Sequence, residues 1–241
     1  MVDRFAIEQS VLRAAEGDAA RLPRRLCEAV RKSVSMDAAT LSLFTDTPHR
    51  QLLWATSDAA LRLERLQFGV GEGPCVTAAR TGDKVIVNDL HADVTQWPVF
   101  GSCAQEQLAD VGAVYAFPLR IDEGRTLGAI DVLRHEAMAP DPDLIQKGVI
   151  ATRAAGRALL NTYQATVEQG GLPLWEPEDI LDSYWGPTHA AVGALVVELD
   201  ITAEEALSRL RARAFGTERS LPKISDDVLA DPSGWVRDGD I

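Results

Sequence analysis

The sequence predicts an α+β domain, an antiparallel sheet with flanking helices, followed by a small all-α unit of three helices. Strand-like and turn-like segments fill much of the interval from residue 38 to residue 135, and helical segments stand on both sides of it. A stretch rich in proline, glycine and acidic residues then separates this region from three further helical segments. Helices that flank a run of antiparallel strands typically pack onto one sheet.

The chain begins with two predicted helices, 5–16 and 19–34. In the second one, Leu22, Leu26 and Val30 recur at helical spacing, and basic residues occupy the remaining faces. Such charge usually belongs to a solvated helix face, and we do not assign it a function.

Five segments have the composition and spacing of strands. The first two form a predicted hairpin through a turn at 46–49, and the last two form an antiparallel pair through a turn at 123–125. The segments are 38–44, 51–57, 85–90, 114–122 and 126–135.

Helices are predicted between and after these strands. The stretch FGVGEGPCVTAARTG leads through Pro74 into a short helix over 74–81, with Gly82 past its end. Its glycine spacing does not match a dinucleotide-binding or phosphate-binding loop. A loop with a short helix is expected at 96–112, and a long helix over 143–163 with Asp143 as its N-cap.

Residues 19–161 resemble a GAF domain, a small-molecule sensory fold. The resemblance rests on the stretch FGVGEGPCVTAARTGDKVIVNDL, on the late strands FPLRID and LGAIDVL, and on the closing helix. It implies an antiparallel sheet with a ligand pocket on one face, closed by loops and a short helix such as 74–81. The sequence names no ligand. The candidates for the pocket walls, which are equally suited to an ordinary core, are Trp54, Phe68, Phe117 and Ile130.

Catalysis or chromophore binding by this domain is a weaker hypothesis. Cys75 stands at a predicted helix N-terminus, which can lower the pKa of a thiol. No histidine neighbours it in the way a bilin site requires, and no nucleophile and base pair is evident. We therefore expect a packed Cys75 and a protein that is not an enzyme.

Composition excludes several other classes. The three cysteines and four histidines are scattered, so no metal site is expected. No run of eighteen apolar residues and no signal-peptide pattern occurs, so we expect no membrane association and a cytoplasmic location. A net charge of −12 opposes nonspecific binding to nucleic acid.

An acidic linker is predicted over 162–187. Between residues 161 and 200 there is no lysine or arginine, and Trp185-Gly186-Pro187 is expected to interrupt any helix. We expect only one short helical piece there, near 177–184.

Three helices follow, over about 189–199, 203–215 and 220–230, with a capping box from Thr202 to Glu205. Residues 209–223 carry five positive charges against one negative charge. The simplest account pairs Glu205 with Arg209 and leaves the other cations in solvent. The five cations are Arg209, Arg211, Arg213, Arg219 and Lys223.

The stretch HAAVGALVVELDITAEEALSRLRARAFGTERSLPKISDDVLA is similar to the ANTAR domain, the RNA-binding module of transcription antitermination regulators. GAF followed by ANTAR is an arrangement familiar from actinobacteria. The resemblance implies a homodimer that binds RNA hairpins in a nascent transcript, with the five cations as contacts to phosphates and loop bases. It also implies transcription machinery or a signalling protein as a further partner.

The sequence departs from the ANTAR pattern at Val192, where a basic residue is common, and at Leu207, where an aromatic is usual. The acidic linker and Asp226 and Asp227 are further departures. The alternative hypothesis is therefore a protein-interaction regulator of the same architecture that has lost RNA binding.

These assignments divide the chain into five parts. They are an N-terminal helix at 1–18, the GAF domain at 19–161, the linker at 162–187, the ANTAR domain at 188–231 and a tail at 232–241.

Overall fold

A computed structural model describes residues 2–44, 50–121, 125–139, 141–171, 175, 179–232 and 235. Nearly all of its strands and its first six helices form one compact unit, and the last three helices belong to a second. The elements are α1 (Arg4–Ala15), α2 (Leu22–Ser33), β1 (Ala38–Phe44), β2 (Arg50–Ala55), α3 (Asp58–Val70), α4 (Pro74–Thr81), β3 (Val85–Val87), α5 (Pro98–Gln107), β4 (Ala113–Arg120), β5 (Thr126–Arg134), α6 (Pro142–Glu168), α7 (Asp179–Leu199), α8 (Ala203–Gly216) and α9 (Leu221–Ala230).

The first unit is an α+β fold around one sheet, as the sequence predicts. The strand order is β2-β1-β5-β4-β3, and β1 with β5, β5 with β4, and β4 with β3 are antiparallel pairs. Alternate residues of an antiparallel sheet face opposite sides. Leu41, Ile130 and Phe117 lie opposite one another on one face, and Thr40, Asp131 and Ala116 on the other.

Each face of the sheet is covered by helices. Helix α2 packs on β1, α6 packs on β4, and α1 packs on both of these helices. On the opposite face, α4 packs on β3, β4 and β5. The larger apolar core therefore lies under α2 and α6, and it contains Leu26, Leu41, Phe117 and Ile130.

Helix α6 closes the first unit. Its N-cap is Asp141, whose carboxylate accepts hydrogen bonds from the backbone N–H groups of Asp143 and Leu144. Asp143 was expected to fill this position, but Pro142 occupies the first turn and leaves Asp141 as the residue just outside it. The helix runs to Glu168, beyond the end expected from the sequence.

Two further expectations need correction. No element was expected over residues 58–65, but they belong to α3. The buried residues of this helix include Ala60, Leu63 and Leu66, which follow a helical period. Helix α7 continues through Trp185-Gly186-Pro187, where a break was expected. The turn predicted at 46–49, residues 123–124 of the turn predicted at 123–125, parts of the linker and most of the C-terminal tail lie outside the described residues.

The second unit explains why α7 tolerates Pro187. A proline inside a helix costs about 3 kcal/mol. Trp185 and Thr188 on either side of it are buried, and the Ser225 hydroxyl of α9 donates to the Thr188 hydroxyl over 3.0 Å. Packing of α7 on α8 and α9 thus outweighs the local preference.

The capping of α8 agrees with the sequence. The Thr202 hydroxyl accepts a hydrogen bond from the Glu205 backbone N–H over 3.1 Å. Among the helices of the described residues, none combines the length and apolar character needed to cross a membrane.

A glycine in α6 allows the close approach of this helix to the sheet. A Cβ atom at Gly148 would lie 2.3 Å from Cζ of the Phe117 ring. We expect Gly148→Ala to lower the free energy of unfolding by about 1–3 kcal/mol, because the ring and helix must move apart. Urea unfolding measures this. Gly69→Ala in α3 is the control, since no atom lies within 4 Å of its added methyl group. Equal stability of both variants and the parent would contradict this packing.

Candidate functional site

Three of the four predicted pocket residues belong to the larger core or pack against it, and Phe68 does not. Phe117 and Ile130 oppose each other in the sheet register, and both are fully buried in the larger core. Trp54 packs against that core, with the Arg24 guanidinium 5.1 Å from its ring centroid. Phe68 is buried in α3 and is not a member of that cluster. Their role as pocket walls stays a prediction.

The glycine-rich stretch that suggested a GAF domain has a structural role that the geometry makes clear. Gly73 has φ +128°, and a Cβ atom there would lie 2.7 Å from the Gln67 side-chain oxygen. The Glu72 carboxylate accepts hydrogen bonds from the backbone N–H groups of Val99 and Phe100, at the start of α5. The segment thus joins α3, α4 and α5.

A buried polar cluster lies where α3 and α4 meet the central strand β5. The Gln67 amide donates to the Asp131 carboxylate over 2.6 Å and accepts from the Cys75 backbone N–H over 2.7 Å. The Ser42 hydroxyl donates to the Glu64 carboxylate over 2.8 Å. Glu64, Gln67 and Asp131 are fully buried. Hydrogen bonds of this kind are what make a buried polar group tolerable.

Three side chains of this cluster could hold a metal ion. Ligand atoms of Glu64, Cys75 and Asp131 all lie within 4.8 Å of one another. Thiolate and carboxylate are both zinc ligands. The two carboxylates already accept hydrogen bonds from Ser42 and Gln67. The same groups therefore serve as an internal polar connection between the helices and the sheet.

Sequence reasoning missed Glu64, Gln67 and Asp131. Asp131 interrupts the apolar strand LGAIDVL, and Glu64 and Gln67 stand three residues apart on one side of α3. A carboxylate in the middle of an otherwise apolar strand was the available signal.

The cysteines are free thiols in packed surroundings. Cys27 and Cys75 are buried and Cys103 is partly exposed. Burial raises the pKa of Cys27 well above its usual range, and the charge of Glu28 adds to this effect. A thiol with a raised pKa stays protonated and unreactive near neutral pH.

The five predicted RNA contacts differ in their surroundings. Arg209 forms the expected ion pair with Glu205 over 2.5 Å, and Arg219 pairs with Asp227 over 2.5 Å. The hydrogen bond from Arg219 lowers the pKa of Asp227. The Arg213 guanidinium lies 4.9 Å from the ring centroid of Trp235. Arg211 is half-buried and Lys223 is exposed.

A large aromatic residue stands exposed on α8. The Phe215 side chain is 64% exposed, one helical turn after Arg211 and therefore on the same side of α8. Sequence reasoning did not select it, although it falls outside the apolar sector of α8. Val192 and Leu207, the two departures from the ANTAR pattern, are buried and pack within the three helices.

Comparisons with known proteins agree with the fold. A family model described as GAF domain matches residues 18–158, ending before α7. A domain assigned to a two-component sensor histidine kinase protein from Sinorhizobium meliloti is 14% identical with a TM-score of 0.50, covering 64% of this chain and 99% of that chain. The GAF domain of a phosphoenolpyruvate-protein phosphotransferase from Coxiella burnetii is 15% identical with a TM-score of 0.50. The match covers 69% of this chain and 97% of that chain.

Free methionine-R-sulfoxide reductase from Neisseria meningitidis is also similar, with 15% identity and a TM-score of 0.46. The match covers 66% of this chain and 89% of that chain. Among curated proteins, none matches the sequence. Identities in this range show the fold alone.

The polar cluster makes a prediction about stability. Gln67→Leu keeps the approximate size of the side chain but leaves the Asp131 carboxylate and the Cys75 N–H without this hydrogen-bond partner. We expect a loss of about 2–4 kcal/mol in the free energy of unfolding, measured by urea titration. The control is Gln105→Leu on the exposed side of α5, which should change stability by less than about 0.5 kcal/mol. A Gln67→Leu variant as stable as this control would show that the bridge contributes nothing.

Proposed function

Because the chain belongs to the GAF domain family, we propose that it is a cytoplasmic signal-responsive regulator whose C-terminal helices bind RNA hairpins. In this proposal the GAF domain senses a small molecule or a partner protein. Helices α7–α9 act as the output unit of the ANTAR type, and RNA binding prevents transcription termination. The protein acts as a homodimer, so that two output units engage one transcript.

The observation that supports RNA binding is the exposed Phe215, one turn after Arg211 on α8. Sequence-specific RNA recognition mostly uses unpaired bases, which stack on aromatic rings and on arginine. Flanking cations supply the contacts to phosphate. An aromatic side chain that is 64% exposed beside such cations matches both requirements.

The ion pairs divide the cations into two groups. Arg209 and Arg219 already bind carboxylates, so a phosphate must displace Glu205 or Asp227 to reach them. Lys223 is exposed, and no ion pair joins it to any residue that the structure describes. We therefore assign Lys223 the largest share of the phosphate contacts.

The double variant Arg213→Gln with Lys223→Gln tests the phosphate contacts. We expect weaker binding to RNA with tandem short-loop hairpins, and a shallower dependence of log K on log salt by about 0.7–0.9 for each lost contact. Gel-shift titration at several salt concentrations measures both quantities.

The matched control for that variant is Arg4→Gln with Arg13→Gln on α1, which removes the same charge from the other unit. Its affinity and salt dependence should equal those of the parent. An unchanged slope in the α8–α9 variant would exclude Arg213 and Lys223 as RNA contacts.

Phe215→Ala tests base stacking. Removal of a stacking ring costs about 1–3 kcal/mol per base, so affinity for the hairpin RNA should fall about 5-fold to 150-fold with no change in salt dependence. Phe215→Tyr keeps the ring and should restore binding. Val197→Ala, at a side chain of α7 that is 84% exposed, is the control for apolar surface. An effect of Phe215→Ala that also appears with loop-scrambled RNA would contradict recognition of the loop.

The second candidate function is a protein-interaction regulator that does not bind RNA. The ion pairs of Arg209 and Arg219 favour it, since they neutralise two of the five cations. Exposed apolar side chains on the same three helices favour it as well, and these are Val197, Phe215 and Leu229.

Capture from nuclease-treated lysate separates the two functions. A protein retained by the full chain, and released by Phe215→Ala, supports the second function if the hairpin RNA shows no shift even at low salt. Loop-dependent RNA binding supports the first.

A further inference from the structure

A cleft at one edge of the first unit has a charge opposite to that of the whole chain. It measures about 870 Å³, within the range of small-molecule pockets. Its lining includes three cationic side chains, Lys84, Arg120 and Arg153, and one carboxylate, Asp83. Three positive charges and one negative charge give a local charge of +2 in a chain with a net charge of −12.

Three separate parts of the fold build this cleft. Gly82 ends α4 in a left-handed conformation and directs the chain into Asp83 and Lys84. Arg120 ends β4 directly after an irregularity in the register with β5. Such bulges redirect side chains and are frequent beside binding sites. Arg153 comes from α6.

Close packing of α6 on β4 holds the cationic groups near one another. A Cβ atom at Gly156 would lie 3.3 Å from the Arg120 carbonyl oxygen, which shows how closely the helix approaches the end of the strand. Arg153 precedes Gly156 by one turn on this helix. Two guanidinium groups thus line one cleft, where both would attract an anion.

Two of the three cations are not engaged in ion pairs within the described residues. Lys84 and Arg153 form no ion pair with any residue in the described part of the chain. Arginine binds phosphate and carboxylate groups through paired N–H donors, and lysine adds a mobile charge. The side chains of Lys84 and Arg153 are therefore available to a ligand from solvent.

The rest of the cleft is apolar. Pro118 and Val149 contribute to its wall, and the Val149 side chain is 45% exposed. Val149 and Arg153 stand one helical turn apart, so the apolar and cationic parts of the α6 surface adjoin. A ligand that carried only charge would leave this wall in water.

We propose that this cleft binds a small organic anion, with its phosphate or carboxylate groups on Lys84, Arg120 and Arg153 and its apolar body on Val149 and Pro118. The site is separate from the cations of α8 and α9, and the proposal stands whether or not the chain binds RNA. It also differs from the pocket assigned from the family resemblance, with which it shares only Phe117.

Isothermal titration of the full chain at low salt, with inorganic phosphate and phenyl phosphate as probes, tests the proposal. We expect saturable 1:1 binding of both, weakened by added salt. Phenyl phosphate should bind about tenfold more tightly, because its ring covers the apolar wall. Absence of saturable binding for either probe would overturn the proposal, and equal affinities would overturn the part that concerns an organic ligand.

The double variant Lys84→Gln with Arg153→Gln locates the binding. Both side chains are exposed, so circular dichroism and the unfolding midpoint should match those of the parent. Affinity for phenyl phosphate should fall about tenfold or more for each lost charged donor. The charge-matched control Arg4→Gln with Arg13→Gln should bind as the parent does, and equal binding by the cleft variant would overturn the assignment.

The same variant separates this site from the RNA surface. Its affinity for tandem hairpin RNA, measured by gel shift, should equal that of the parent. A parallel loss of RNA and phenyl phosphate binding would mean that the cleft is part of an RNA surface, and this would overturn the small-molecule proposal. Loss of phenyl phosphate binding alone supports it even if no RNA binding is found.

Discussion

The side chain of Gln67 fixes how the helices of the second face sit on the sheet. One amide group connects three elements, since Gln67 belongs to α3, its donor binds Asp131 of β5 and its acceptor binds the backbone of α4 at Cys75. An apolar layer alone allows small sliding movements, whereas hydrogen bonds of about 2.6–2.7 Å in a buried site define one register. The left-handed Gly73 exists beside this bridge because any side chain there would collide with Gln67. Packing against Gln67 therefore explains Gly73, one glycine of the glycine-rich stretch.

Helices and strands could be predicted from the sequence where the hydrophobic period and the residues that mark the element ends indicate the same element. Helix α4 begins and ends where Pro74 and Gly82 indicated, and β1 has the predicted bounds, because local preference and burial act in the same direction there. Helix α3 has an N-cap in Ser57, whose hydroxyl accepts a hydrogen bond from the Ala60 backbone N–H over 3.2 Å. Ser57 was expected at the end of the strand 51–57, and this signal was missed. In α7 the local signal was opposed by burial of Trp185 and Thr188, and burial prevailed.

Side-chain sites were less accessible to sequence reasoning. The ion pair from Glu205 to Arg209 could be predicted, because both residues lie on one helix at a spacing of four. The Gln67 cluster and the cleft at Arg120 bring together residues that are 64 and 33 positions apart, from Gln67 to Asp131 and from Arg120 to Arg153. Only the strand register and the packing of α6 place those groups side by side. Residue identity showed that polar groups were present, and the fold decided which of them meet.

The pairing of Arg219 with Asp227 gives α9 an internal competitor for any anion. The carboxylate is held on the same short unit, so its effective concentration near the guanidinium is set by the fold and does not fall on dilution. A single phosphate or chloride ion from solution therefore exchanges one anion for another and gains little. A ligand with several linked phosphates stays bound through its other phosphates while one contact is displaced. In the proposed RNA complex, the unit would consequently respond to the number of linked phosphates more than to the charge of each one.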